Sequence, residues 1–257
     1  MTLILKGKTI IGRRREDFVK YSFDFDGTDD FFSGTTNYTS TDLETKLTIS
    51  AWINLDSAST TFSYLLAVPG GSRYSFGVRL QSLTNTNCWL YLNSGANNSR
   101  ANTNLGAIKN TGWHHLMICL DLSLPNFQKC QIFFDGVAKS MTGYFAQASI
   151  PSSTGAMTIG YQATDANPNY LGGLVDELAI WAGEDLREQN KVDAIYNNGK
   201  PNYLNNLPFS IPQPTTWFRM GEESELNGTQ WTMTDVNGGY TVLSESMDSN
   251  NRTENIP

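Results

Sequence analysis

Three cysteines in 257 residues, Cys88, Cys119 and Cys130, are too few and too odd in number for a disulfide framework. Cys119 and Cys130 could meet across a hairpin, but reduced core thiols are the expected state. Histidine is scarcer still. His114 and His115 are the only two, and neighbours along a strand point to opposite faces, so they cannot jointly grip an ion. A hydrogen-bonded core histidine is the better reading of each. Charged residues make up only 17% of the chain, and the net charge of −7 argues against nucleic acid as a partner. No apolar run is long enough to span a membrane, which excludes insertion by a helix. Leu3-Ile-Leu5 is too short for a signal peptide, and no hydrophobic stretch follows Arg13-Arg14-Arg15, so synthesis in a cytoplasm is expected. There is no G-x-S-x-G elbow, no H-E-x-x-H helix, and no Lys-Ser/Thr after Gly70-Gly71 to make a phosphate loop. Repeats of solenoid type are also missing.

What is present favours short strands. Aromatics reach 12%, and Gly, Asn, Ser and Thr recur throughout as turn formers. Tyr21, Phe23 and Phe25 alternate with Ser22, Asp24 and Asp26. Leu47, Ile49, Ala51, Ile53 and Leu55 form a second row, with Trp52 opposite. Tyr74, Phe76, Val78 and Leu80 form a third, and Cys88, Leu90 and Leu92 a fourth. Trp113 to Leu120 is apolar on both faces, as a strand between two layers should be. Asp135-Gly136 signals a two-residue hairpin. One helix is expected near residues 185–197, burying Leu186, Val192 and Ile195 or Tyr196, with Gly199 as C-cap and Pro201 as stop.

The strand Tyr170–Trp181 poses the main puzzle. Strict alternation puts Asp176 in a row with Leu174, Leu178 and Ile180, and Glu177 on the other face. A carboxylate in an apolar row needs compensation. If this strand neighbours the carboxylate-rich turn after Phe23, a structural Ca²⁺ could supply it. Asp26 and Asp176 would then be ligands, with Asp24, Thr28 or backbone carbonyls completing an oxygen shell. The competing reading has Asp176 capping backbone N–H groups and Asp26 shaping its turn.

Seven motifs in order resemble the laminin-G-like, concanavalin A-like lectin family: Asp24-Phe-Asp-Gly-Thr-Asp-Asp-Phe31, Thr48-Ile-Ser-Ala-Trp-Ile53, Trp113-His-His-Leu-Met117, Ile132-Phe-Phe-Asp-Gly136, Thr158-Ile-Gly160, Gly172 through Trp181, and Ile195 through Pro201. The resemblance implies an all-β jelly-roll β-sandwich of two antiparallel sheets, often with a structural Ca²⁺ and with no catalytic requirement. Three parts are expected: an arm at 1–20, the sandwich at 21–201, and a C-terminal extension at 202–257 packed on the sandwich or on a partner. The segment Tyr196 to Pro201 and the later Trp217-Phe-Arg-Met-Gly221 resemble forms carried by bacteriophage-encoded members. That implies a virion protein, made in a host cytoplasm, decorating a capsid or accompanying a fibre.

Partner expectations follow. The first twenty residues hold six basic side chains against Glu16 and Asp17, so the rest is more acidic than the total. Such an arm suits docking on a capsid or fibre protein, or on a second copy of the chain, and the tail after Pro201 is expected to serve attachment too. The alternative function is a glycan-binding adhesin. Trp89 and Tyr91 share a strand face with Asn87 and Asn93, and Arg79 lies on the polar face of the preceding strand. Rings that stack on sugar C–H bonds beside amides that hydrogen-bond hydroxyls would hold a cell-surface glycan. The same rings could instead pack under a loop or a neighbouring chain. Glycosidases need two carboxylates facing one bond, and no strand offers such a pair, so no enzyme activity is expected.

Overall fold

A computed structural model describes residues 19–38, 45–58, 62–70, 74–82, 84–93, 98–162 and 169–257. Residues 1–18, most of the basic arm, lie outside them. In chain order the strands are Ser22–Asp26 (β1), Phe31–Gly34 (β2), Lys46–Leu55 (β3), Ser63–Val68 (β4), Tyr74–Ser82 (β5), Thr86–Asn93 (β6), Asn98–Gly106 (β7), His114–Asp121 (β8) and Cys130–Phe134 (β9). There follow Val137–Ala138 (β10), Thr142–Tyr144 (β11), Thr158–Ile159 (β12), Gly172–Ala182 (β13), the helix Gln189–Tyr196 (α1), Thr216–Phe218 (β14), Ser224–Asn227 (β15), Gln230–Thr234 (β16), Thr241–Glu245 (β17) and Arg252–Thr253 (β18).

Two antiparallel sheets result. The first runs β10-β9-β8-β3-β13-β1-β18, with β14 also paired to β13. The second runs β11-β7-β6-β5-β4-β12-β2-β17-β16-β15. Their facing rows make the main core: Leu47, Ile49, Ile53 and Leu55 of β3 meet Phe76, Val78 and Leu80 of β5 and Cys88, Leu90 and Leu92 of β6 in one buried cluster. The expected all-β sandwich with one short helix is therefore the fold. Helix α1 buries Val192 and Ile195 on the outer face of the first sheet, where Trp181, Met117, Cys119 and Trp217 receive it. Its C-cap is Asn197 in the left-handed region, φ 50°, two residues before the expected Gly199. No helix among the described residues is long and apolar enough to cross a membrane.

The Asp135-Gly136 turn forms as expected, with both residues at positive φ (50° and 75°) between β9 and β10. The three cysteines are buried and free. Cys130 pairs across the hairpin with Leu120, and Cys119 with Gln131. Cys119 and Cys130 therefore face opposite sides of the sheet, Cys130 in the main core and Cys119 under the helix.

The tail after Pro201 is part of the sandwich. Residues after Pro201 are built into both sheets rather than held apart for attachment. β14 pairs with β13, β17 with β2, and β18 with β1. Phe218, Met220, Trp231, Met233 and Val242 join the main core. Trp231 packs edge-on against Phe23 at 5.4 Å between centroids and donates its Nε1–H to the Asp248 carbonyl at 2.6 Å. Buried Trp231 and Met233 of β16 and Val242 of β17 give that edge of the second sheet its cover.

Candidate functional site

Strand β13 does neighbour β1, but its register separates the two expected metal ligands. Asp26 lies opposite Gly172, and Phe23 opposite Val175. Asp176 is thus four residues along the strand from the Asp26 position, about 13 Å away at the rise of a strand. The alternation also breaks. Between Asp176 and Ala179 the pairing to β3 slips by one residue, with Glu177 at φ 50°. This bulge turns Val175, Leu178 and Ile180 to the main core and leaves Ala179 and Trp181 under the helix. The expected separation of Asp176 and Glu177 onto opposite faces gives way to one buried carboxyl cluster.

That cluster sits where β13 exchanges its partner β1 for β14. The Asp176 Oδ1 accepts the Glu177 N–H at 2.7 Å, and its Oδ2 has no hydrogen-bond partner among the described residues. Glu177 accepts the Trp217 Nε1–H at 2.6 Å and the Arg219 Nε–H at 3.4 Å. Glu222 accepts the backbone N–H groups of Lys20 and Tyr21. Burial pushes the Asp176 carboxyl well up, and the neighbouring Glu177 and Glu222 push it further. Burial raises Glu177 to about 8 against the pull of Arg219. Asp176 therefore caps a backbone amide, while Glu177 and Glu222 tie β13 and the residues before β1 to the tail; Asp176 is not near the Asp26 turn.

At that turn, Asp26 Oδ1 accepts three backbone N–H groups, from Thr28 at 2.7 Å, Asp29 at 3.1 Å and Asp30 at 3.4 Å. The turn-shaping reading of Asp26 is thus realised, and Thr28 takes part through its backbone. Asp30 Oδ2 accepts the Asp26 N–H at 3.0 Å and the Asn251 Nδ2–H at 2.7 Å, so the tail reaches this loop as well. Carboxylate oxygens of Asp26, Asp29 and Asp30 lie within 4.8 Å of one another. Oxygens sharing a Ca²⁺ at 2.3–2.6 Å can stand up to about 5 Å apart, so this all-oxygen set could hold a metal ion. Asp24, Asp56 and Asp248 line the same cavity of about 380 Å³. Burial raises Asp30 to about 6 and also raises Asp24, where the charges of Asp56 and Asp26 add to it. A bound cation would relieve this crowding. Asp29 and Asp30 stand in the same Asp-Gly-Thr-Asp-Asp run as Asp26 and were legible there; Asp56 and Asp248 are far off in sequence and were not.

The expected glycan residues come together on the outer face of the second sheet. Register aligns Tyr64, Arg79, Trp89 and Asn102 in one row across β4, β5, β6 and β7. Tyr91 and Arg100 pair in the next row, and Asn87 and Asn104 on the other side. Trp89 and Tyr91 stack at 5.8 Å with 24° between planes. Arg79 lies 5.4 Å from the Trp89 ring and 4.8 Å from that of Tyr91, and Arg100 lies 5.0 Å from Trp89. Beneath, the Tyr64 and Tyr74 hydroxyls are 3.0 Å apart. Tyr74 sits here rather than in the expected core row because the pairing slips between it and Gly77. Trp89, Arg79 and Asn87 are partly exposed and Arg100 is exposed. The Nε–H of Arg79 and the Nε1–H of Trp89 are buried donors with no acceptor among the described residues. Asn93 ends β6, and its side chain lies outside them. Arg100 and Asn102 were missed, although Arg100, Asn102 and Asn104 alternate along β7.

His115 is the hydrogen-bonded core group expected, whereas His114 is hydrogen-bonded but partly exposed. His114 Nδ1 meets Asp135 Oδ2 at 2.8 Å, and His115 Nε2 meets Ser50 Oγ at 2.8 Å. Burial lowers His115 to about 4.

The sequence matches the family model described as the concanavalin A-like lectin/glucanases superfamily over residues 26–189. No curated protein matches it. Among solved structures, a candidate carbohydrate-binding protein from Bacteroides ovatus superposes with a TM-score of 0.59 at 12% identity, covering 89% of this chain. The match spans only 58% of the Bacteroides protein. A heptameric pentraxin from Limulus polyphemus superposes with a TM-score of 0.56 at 14% identity, covering 90% of this chain and 97% of its own.

Proposed function

The chain belongs to the concanavalin A-like lectin/glucanases superfamily, and from that premise we propose that it is a non-enzymatic saccharide-binding module. Its ligand would lie on the outer face of β5, β6 and β7. The observation that carries this reading is the partly exposed Trp89 ring, set between Arg79 and Arg100 with its own Nε1–H lacking an acceptor among the described residues. A buried polar donor left unpaired costs free energy, and a ligand oxygen would recover it. Asn87 and Asn102 flank the ring and offer amides for hydroxyl groups. The fold likeness to the Bacteroides protein agrees with this reading. The family match supports this reading over the expected virion role.

The absence of catalysis belongs to the same proposal. Among the described residues, Asp176 and Glu177 are the only adjacent acids on a core strand, and with 0% and 3% of their surfaces exposed they cannot reach a glycosidic oxygen. We assign a structural role to one Ca²⁺ at Asp26, Asp29 and Asp30, supported by the hard oxygen donors and the raised Asp24 and Asp30 carboxyls. The ion would brace the loop that Asn251 already ties to the tail. Screening the full chain against an oligosaccharide array, with product analysis by mass spectrometry, tests the function. Binding without cleavage is expected. Cleavage that Glu177→Gln removes would overturn the non-enzymatic part.

A further inference from the structure

Resting on that binding reading, we propose that the saccharide is anionic, with a carboxylate or sulfate received by Arg79 and Arg100 beside Trp89. The first ground is charge. Strands β4, β5, β6, β7 and β11 contain no aspartate or glutamate, in a chain whose net charge is −7. Their outer face carries two guanidinium groups and neutral amides. The second ground is pairing. Elsewhere, Lys46 stands 3.6 Å from Asp121, Arg187 2.6 Å from Asp185, Lys191 2.9 Å from Glu188 and Arg219 3.4 Å from Glu177. Arg79 and Arg100 have no carboxylate partner among the described residues.

The third ground is the setting of the charges. Arg79 is held against three rings, those of Phe62 at 4.8 Å, Tyr91 at 4.8 Å and Trp89 at 5.4 Å. Ring faces attract a cation but cannot neutralise it. Its Nε–H is buried without an acceptor among the described residues. Both guanidinium groups stand within 5.4 Å of the one Trp89 ring, so they repel across it. Burial pushes the Tyr91 phenol up while both arginine charges oppose the rise, which places their field on this surface. An anion there is attracted to both, and a planar guanidinium presents paired N–H donors to a carboxylate or sulfate. A neutral sugar would use the ring and leave the two charges uncompensated.

The test is titration of the full chain, followed by calorimetry and Trp fluorescence, with 3′-sialyllactose, an oligogalacturonate and a heparin-derived tetrasaccharide, against lactose and cellotetraose. At least one acidic saccharide should bind, more weakly as salt rises. Arg100→Gln should weaken that binding about tenfold or more, as the loss of a charge-assisted hydrogen bond requires. Arg79→Gln should do the same; where it fails to fold, Arg100→Gln on an exposed side chain decides alone. The sialyl and galacturonate arms separate carboxylate from sulfate. Neutral sugars binding in a Trp89-dependent manner, indifferent to both arginine variants, would overturn the anion while leaving the binding reading intact. Acidic binding indifferent to both variants would also overturn it. Binding by none of the five would remove both.

Discussion

Asp176→Asn should stabilise the protein, and increasingly so as pH rises. An unfolded aspartate ionises near pH 4, whereas burial holds the folded Asp176 carboxyl well above that value. A raised folded pKa means that the folded state keeps a proton the unfolded state has released. The stability this represents is fully present below about pH 4 and is lost as pH climbs through the folded pKa, at up to about 1.4 kcal/mol per unit. Asparagine keeps the Oδ1 that accepts the Glu177 N–H and removes the titration. Across one to two pH units that loss amounts to about 1–3 kcal/mol. For a chain of this size that is roughly 2–12 °C in Tm. Differential scanning calorimetry of both proteins from pH 4 to pH 9 should show equal Tm at the acid end and a widening gap towards pH 8. Glu177, raised to about 8, keeps titrating in the variant, so its own decline with pH persists. An asparagine variant that is less stable by the same amount at every pH would refute this reasoning.

Calcium and the tail give two further tests. Millimolar Ca²⁺ should raise Tm and a chelator lower it; at a hundredfold excess over Kd the gain is about 2.7 kcal/mol. Asp30→Asn should abolish that response while Asp176→Asn retains it, and an unchanged melt in chelator would remove the metal from Asp26, Asp29 and Asp30. Truncation after Pro201 should prevent folding. It deletes Trp217, Phe218, Met220, Trp231, Met233 and Val242, all buried, and at about 1.5–3 kcal/mol each their loss matches the whole stability of a domain. A truncated chain with sharp, cooperative melting would contradict the role given to the tail.

How far the sequence foretold this molecule depended on whether local alternation stayed unbroken. The β3 row from Leu47 to Leu55 and the Cys88, Leu90 and Leu92 row read correctly because no bulge interrupts them. The Trp89 and Tyr91 face followed from the same periodicity. Asp176 misled because one bulge inverts every later residue of β13, and neither the Glu177 backbone nor its Arg219 partner leaves a local signal. Tyr74 failed for the same reason. The acidic loop was half legible: Asp24 to Asp30 is contiguous, but Asp56, Asp248 and Asn251 reach it only through tertiary folding. The tail was only partly legible, because its short strands need β2 and β13 as templates before their place in the sheets is recognisable.

The decisive measurement is the affinity of Trp89→Ala for whichever oligosaccharide the parent protein binds, taken alongside its Tm. The ring is partly exposed on the outer face of the second sheet, away from the main core, so its removal should leave the sandwich folded while binding is lost. A folded Trp89→Ala protein that binds the same saccharide with unchanged affinity would contradict the site proposed for this chain.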